Sequence, residues 1–280
     1  MAILLDGSAV AREVLRDVTV RAEAFSLSTG RPPTLATVLV GDDPASHTYV
    51  RMKANRCRAS GMRSIRVELP AETTQPKLLA ELARLSADAT TDGILLQHPI
   101  PAHLDERAAF EAIVPEKDVD GVTMHSFAAM SFGLPGFVSC TPGGIQRLLD
   151  AYRLDLSGLH AVVVGRSPIL GKPMGMLLLA KDATVTYCHS RTPDVAAHLA
   201  EADIVVAAVG RPNFVRGSWI KPGAIVVDAG YNDGNVGDVE FAAARERASC
   251  ITPVPGGVGP MTIATLLSQT MDAADSSPKN

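Results

Sequence analysis

The stretch His160–Pro173, HAVVVGRSPILGKP, restricts the possible folds more than any other part of this chain, because strand, turn and helix signals meet in it. Ala161–Val164 is a short apolar run rich in β-branched residues, the pattern of a parallel strand covered on both faces. It ends in Gly165. Pro173 suits the first position of a helix, having no N–H to lose and a φ already helical, and Met174–Ala180 reads as that helix. A strand that turns through glycine into a helix N-terminus offers free backbone N–H groups and the positive end of the helix dipole, which suits an anion and typically a nucleotide diphosphate. The spacing is not the usual G-x-G-x-x-G, since five residues separate Gly165 from Gly171. A Walker A loop is excluded, because Pro173 follows Gly171-Lys172 where that loop needs Ser or Thr.

The next strand sharpens the reading. Ala183–Cys188 (ATVTYC) alternates, and its end falls where a residue of a dinucleotide-binding unit meets the adenosine ribose. An NAD site places Asp or Glu there. This chain has His189, Ser190 and Arg191, with Arg166 in the first turn, and cationic and hydroxyl donors suit a 2′-phosphate, hence NADP.

With 280 residues and 46% hydrophobic content the chain can bury a large core, and its length implies about two domains. A net charge of −4 argues against a nucleic-acid or membrane-surface role driven by a basic field. Met1–Leu5 is too short for a signal peptide, and no run reaches transmembrane length. Cys57, Cys140, Cys188 and Cys250 are scattered, with no C-x-x-C and no His at metal spacing, which argues for a reducing cytoplasm and against zinc or disulfides. The tail Asp272–Asn280 reads as frayed.

Taken in order, Gly7–Leu27 carries apolar residues at helical spacing and Thr34–Val40 reads as a strand. A turn at Gly41–Pro44 leads into a helix from about Ala45 to Ser60, ended by Gly61. Arg63–Leu69 is a strand, Gln75–Ala87 a helix and Gly93–Gln97 a strand; Pro99–Pro142 is irregular and reads as a hinge. Further strands are expected at Ile204–Ala208, Ala224–Asp228 and near Ile251, and a last helix from Pro260. Such alternation implies βαβ crossovers and a mostly parallel sheet, with ligands beyond the carboxyl ends of the strands. The residues after Val40, Leu96, Val164, Val209 and Ile251 are therefore expected to share a cleft. Tyr49 and Lys53, spaced i, i+4, project from one helix face, Gln97 ends a strand, and Asp118-Val119-Asp120-Gly121 forms an acidic turn. A lysine beside a tyrosine in a partly apolar cleft is a candidate acid or base.

VGDDPASHTYVRMK (Val40–Lys53), LLQHPIP (Leu95–Pro101), PEKDVDG (Pro115–Gly121), SCTPGG (Ser139–Gly144), VVVGRSPILGKP and PVPGGVGPMT (Pro253–Thr262) resemble, in order and spacing, the bifunctional methylenetetrahydrofolate dehydrogenase/cyclohydrolase family. The resemblance covers nearly the whole chain. It implies an α/β fold of two α/β domains around a deep cleft, the C-terminal one a Rossmann-type doubly wound parallel sheet. Residues 1–139, completed by a helix over about 262–280, are expected to bind folate and carry the catalysis, and residues 140–261 to bind NADP. By the same match Lys53 is the catalytic lysine, Tyr49 its neighbour stacking near the folate, Gln97 a member of the lysine's network and Asp120 the carboxylate that grips the pterin. Gly165, Arg166, Ser167, Gly171, His189, Ser190 and Thr141 fall on NADP positions, and Gly256, Gly257, Val258, Gly259 and Pro260 on the loop between cofactor and substrate. The implied activity is NADP-dependent oxidation of methylenetetrahydrofolate to methenyltetrahydrofolate, then hydrolysis to formyltetrahydrofolate, by a cytoplasmic homodimer without metal.

Two departures qualify the match. The family has Q-L-P-L-P where this chain has Gln97-His98-Pro99-Ile100-Pro101, and a protonated His98 beside the lysine network would lower the pKa of Lys53 further, unless it points outward from the strand end. Ser139 stands where proline is usual and loosens the hinge at most. They leave open a dehydrogenase-only or pathway-specialised paralogue, beside the more distant readings of a dehydrogenase of another small substrate and a non-catalytic folate-binding protein.

Overall fold

Strands alternating with helices organise this chain into two parallel sheets. The computed structural model describes residues 2–276. The first half runs β1 (Ile3–Leu4), α1 (Gly7–Thr29), β2 (Thr34–Val40), α2 (Pro44–Ala59), β3 (Arg63–Leu69), α3 (Gln75–Ala87), β4 (Gly93–Leu96), α4 (Glu106–Glu111) and α5 (Met124–Phe132). The second runs α6 (Cys140–Ala151), β5 (His160–Val164), α7 (Gly171–Leu179), β6 (Thr184–Cys188), α8 (Val195–Glu201), β7 (Ile204–Ala207), β8 (Ile225–Asp228), α9 (Phe241–Arg247), β9 (Cys250–Ile251) and α10 (Val258–Ser276). Backbone contacts divide them into two compact units. One comprises Glu13–Ala129, Pro135–Val138 and the chain from Ile263 onward, the other the chain up to Arg12, Met130–Leu134 and Ser139–Thr262.

The unit that begins at Glu13 is built on a three-stranded parallel sheet in the order β3-β2-β4. Central β2, TLATVLV, is buried at every position, as expected of a strand covered on both faces. Edge strand β3 instead shows Arg63, Arg66 and Glu68 to solvent, charges that discourage further pairing. At the opposite end of the strands the Asp92 carboxylate accepts a two-pronged bond from Arg31, at 2.7 and 2.8 Å, and the Thr34 N–H at 2.7 Å, which ties β2 to the start of β4.

The other unit carries a six-stranded parallel sheet in the order β1-β9-β8-β7-β5-β6. β5, β7 and β8 are short β-branched runs buried almost throughout, so this core lies on both faces of the sheet. Chain order reverses between β5 and β7, the mark of a doubly wound sheet. β1 is too short to show a period in sequence, yet it pairs with β9, Ile3 opposite Cys250 and Leu4 opposite Ile251, and adds an edge strand to this sheet.

Four expectations give way in whole or in part. The segment from Pro99 to Pro142 is not irregular: it holds α4, α5 and the start of α6, whose first turn contains Thr141 and Pro142, although the chain does pass between the two units within it. Proline and glycine are tolerated there because the first N–H groups of a helix lack intrahelical partners anyway. Ser139, expected to loosen that hinge, is buried, and its carbonyl accepts the Gly143 N–H at 2.9 Å. The tail is helical through Ser276, with Met271, Ala273 and Ala274 buried; its last four residues lie outside the described part. α7 starts at Gly171, which puts Pro173 at its third rather than its first position.

Candidate active site

Helix α2 carries the candidate acid–base pair, and its start is fixed by its own sequence. Pro44 occupies the first turn and the Asp43 carboxylate accepts the Ser46 N–H at 2.7 Å, a complete N-cap. Gly61, at φ 74°, lets the chain leave the other end in the left-handed region. Tyr49 and Lys53 follow one another on this helix at i, i+4 spacing, Tyr49 37% exposed. Lys53 Nζ donates to Gln97 Oε1 at 3.0 Å, across 44 residues of sequence. Gln97 is nearly buried just past β4, and its Nε2 donates to the His98 carbonyl at 2.6 Å. That second bond fixes the amide: with Nε2 engaged, the oxygen faces the ammonium.

His98 itself is turned elsewhere. Its Nδ1 lies 2.7 Å from Glu106 Oε1 at the start of α4 and its ring is half exposed, so the expectation that it charges the lysine network gives way to a histidine paired with a carboxylate. The Glu106 carboxyl is held below its usual range chiefly by that hydrogen bond. His98 therefore contributes its backbone carbonyl to the site.

The two acids of the Asp118–Gly121 turn have separated. Asp118 is buried and accepts the N–H groups of Val122 and Thr123 and the hydroxyl of Ser126, at 3.1, 2.9 and 2.6 Å. Burial still pushes its carboxyl above the usual carboxylate range. Asp118 thus holds the turn, and Asp120, half exposed, is the acid it presents. Sequence reasoning passed over Gln269 of α10, whose Nε2 donates to the carbonyls of Val119 and Val138 at 2.7 and 2.9 Å while Oε1 accepts the Val138 N–H at 3.0 Å. No motif marks it.

The cofactor candidates lie in the six-stranded unit. Gly165 stands at φ 137°, and a Cβ there would come within 2.3 Å of the Ala208 carbonyl oxygen. A Cβ on Gly171 would come within 2.5 Å of Gly165 O, so both glycines are required by the close strand-to-helix passage. Ser167 Oγ accepts the N–H groups of Leu170 and Gly171 at 3.1 and 3.3 Å and so closes the turn that leads into α7. Among the described residues the N–H groups of Arg166 and Ser167 have no hydrogen bond, and both side chains are exposed. A crowded glycine cradle with open peptide donors fits a diphosphate. β6 is paired with β5, Val164 opposite Cys188, so the Arg166 turn and the His189–Arg191 turn emerge side by side. His189 Nδ1 accepts the Arg191 N–H at 3.2 Å, which leaves Nε2 to carry the proton of the neutral ring.

Thr141 receives the Thr262 hydroxyl at 3.1 Å. Gly256, at φ 105°, offers its carbonyl to both the N–H and the hydroxyl of Ser8, at 2.9 and 3.3 Å, and a Cβ on Gly7 would meet the Gly257 carbonyl. The loop that ends at Pro260 in the first turn of α10 is therefore shaped by the amino-terminal segment. Among the described residues no cluster of His, Cys, Asp or Glu could hold a metal ion, and no helix is long and apolar enough to cross a membrane.

A family model described as the tetrahydrofolate dehydrogenase/cyclohydrolase catalytic domain matches residues 5–120, and one described as that family's NAD(P)-binding domain matches residues 139–277. This chain belongs to the tetrahydrofolate dehydrogenase/cyclohydrolase family. Its relatives in the family include Bifunctional protein FolD 1 of Streptomyces avermitilis, 69% identical over 271 residues that cover 97% of this chain and 94% of that protein. Bifunctional protein FolD 1 of Salinispora arenicola is 67% identical over 274 residues, 98% of each. Among solved structures of the family, the methylenetetrahydrofolate dehydrogenase/cyclohydrolase FolD of Campylobacter jejuni superposes with a TM-score of 0.95 at 41% identity, covering 98% of this chain and 99% of that one. The Trypanosoma brucei methylenetetrahydrofolate dehydrogenase-cyclohydrolase, complexed with NADP cofactor and inhibitor, gives 0.94 at 40% identity, covering 98% and 97%.

Proposed function

We propose that this chain oxidises 5,10-methylenetetrahydrofolate to 5,10-methenyltetrahydrofolate with NADP and hydrolyses the product to 10-formyltetrahydrofolate. The observation that carries the reading is the Lys53–Gln97 bond, an ammonium aimed by a nearly buried amide in a chain whose two halves match the two domains of this family. Folate binding is assigned to residues 1–139 with the part of α10 that follows Met261, and NADP binding to residues 140–261. The adenosine 2′-phosphate is assigned to Arg166, His189 and Ser190, the diphosphate to the Gly165–Gly171 turn with Ser167, and Thr141 to the same cofactor. NADP, when bound, supplies the hydride acceptor for the one-carbon bridge.

The chain's own residues do the remainder. Asp120 holds the pterin through paired N–H donors, which match the two oxygens of a carboxylate. Tyr49 covers the folate ring, and the Gly256–Pro260 loop holds the substrate so that little motion separates it from reaction. In hydrolysis Lys53 Nζ moves the protons as water adds to the methenyl carbon and the ring opens, with Gln97 Oε1 keeping the amine in place. No observation favours the dehydrogenase-only alternative, since His98 faces Glu106. A cytoplasmic homodimer without nucleic-acid partners completes the proposal. Four buried free cysteines support a reducing compartment, and a net charge of −4 supports the lack of nucleic-acid partners.

The test is NADP reduction with methylenetetrahydrofolate and methenyl hydrolysis, in the parent and in Lys53→Met. The variant is expected to bind both ligands while hydrolysis falls by about 10²–10⁴-fold. Unchanged hydrolysis would remove Lys53 from the reaction.

A further inference from the structure

The loop after β7 runs against the cofactor turn. β7 lies beside β5 at the point where chain order reverses, with Ala207 opposite Val164, and ligands of such sheets bind outside the carboxyl ends at that point. The Ala208 N–H donates to Val164 O at 2.8 Å, and the Ala208 carbonyl is the group that forbids a side chain on Gly165. The next three N–H groups converge on one carboxylate. Asp238 Oδ2 accepts Val209 and Gly210 at 2.6 and 2.8 Å, and Oδ1 accepts Arg211 at 2.9 Å and Asn232 Nδ2 at 3.1 Å.

Asp238 is fully buried, and beneath it lies a second buried carboxylate. Asp228, the last residue of β8, accepts the N–H groups of Gly230, Asp238 and Val239, each at 2.9 Å. Glycines make room for the pair: a Cβ on Gly230 would lie 2.2 Å from the Asp238 carboxyl, and one on Gly237 would lie 1.9 Å from Asp228 Oδ2. A trans peptide points its C=O away from its N–H, so a carboxylate that gathers the Val209 N–H aims the Ala208 carbonyl the opposite way, toward Gly165. A merely structural turn could be closed by a neutral acceptor. Saturating a buried charge with consecutive peptides fixes their planes as a set.

We propose that Asp238, seated on Asp228, is a positioning residue for NADP, fixing the peptides of residues 208–211 as the wall of the cofactor site that faces Gly165. The inference rests on the reading of the Gly165 turn as the NADP site.

Asp238→Asn keeps the size but aims an N–H2 group at peptide donors. Loss of charge-assisted bonds is expected to raise KM for NADP by about tenfold or more. Methenyl hydrolysis, which uses no NADP, should stay within about twofold of the parent, a split that a variant failing to fold would not show. NADP affinity within about twofold of the parent, or both activities falling together in a variant whose melting is unchanged, overturns the proposal. Should Asp238→Asn fail to fold, Asn232→Ala decides, since it removes only a side-chain donor to Oδ1 and Val236 O. A rise of about threefold or more in KM for NADP supports the proposal, and none overturns it. A parent that hydrolyses the methenyl substrate yet never reduces NADP would sink the underlying reading of the turn instead.

Discussion

A lysine becomes useful through what holds it, and Lys53 is held by an amide whose other end is already committed to a backbone carbonyl. That carbonyl belongs to His98, so the residue that departs from the family's pattern enters the site through an atom every residue possesses. His98→Leu is therefore expected to give a pH–rate curve for methenyl hydrolysis that superimposes on the parent's between about pH 6 and 9; a displaced limb would show that the ring charge reaches the lysine. Asp228 makes a different pH prediction. Burial pushes its carboxyl up to about 6 in spite of three N–H donors. A folded-state pKa above the unfolded value of 3.8 means that the native protein holds the proton more tightly. The stability this contributes is full below pH 3.8 and lost as pH rises through about 6, at most about 3 kcal/mol. Asn at this position does not titrate. The instability of Asp228→Asn relative to the parent, read as urea midpoints at about pH 4.5 and 7.5, should therefore shrink as pH rises. A constant or widening gap would contradict the assignment.

At the scale of elements, the Asp118–Gly121 turn depends on a helix more than a hundred residues away in sequence, because Gln269 of α10 satisfies the carbonyls of Val119 and Val138. Gln269→Ala strands those groups, which is expected to cost about 2 kcal/mol and lower Tm by roughly 4–8 °C. With Asp120 loosened, KM for folate should rise while KM for NADP does not. Equal changes in both, or in neither, would detach Gln269 from the turn. Such dependence explains which elements were legible in the sequence. β2 is a mostly apolar run and β3 and α3 follow their own periodicity, and the bounds of all three agree with the reading from sequence. β1 is two residues long and exists through its pairing with β9. α6 hides behind Thr141, Pro142, Gly143 and Gly144, residues that signal a turn unless tertiary contacts override them. The site divides in the same way. Tyr49 and Lys53 announce themselves by spacing, but the Lys53–Gln97 bond was approachable only through resemblance to a family. Spacing could not say which of Asp118 and Asp120 is buried, and Asp238 belongs to no motif.

At the scale of the molecule, each unit borrows a terminal stretch from far along the chain. The six-stranded sheet takes β1, and the unit holding Lys53 takes α10 from Ile263 onward. That part of α10 buries Leu266, Leu267 and Met271 almost completely, with Ile263, Ala264, Ala273 and Ala274. Thr270 packs against the Cα of Gly93 at the start of β4, where a Cβ would meet it at 3.2 Å. Burying four large apolar side chains contributes about 6–12 kcal/mol, comparable to the whole net stability of a domain at roughly 5–15 kcal/mol. A chain ending at Thr262 keeps Tyr49, Lys53, Gln97 and Asp120 in its sequence, yet is expected to lose methenyl hydrolysis completely and to expose Glu13–Val138 to protease. Because the lost side chains contribute through burial, NADP or folate at saturating concentration should not restore activity. Hydrolysis at the parental rate in the shortened chain would show that the lysine's unit stands without this helix, and that Gln97 is aimed by β4 alone.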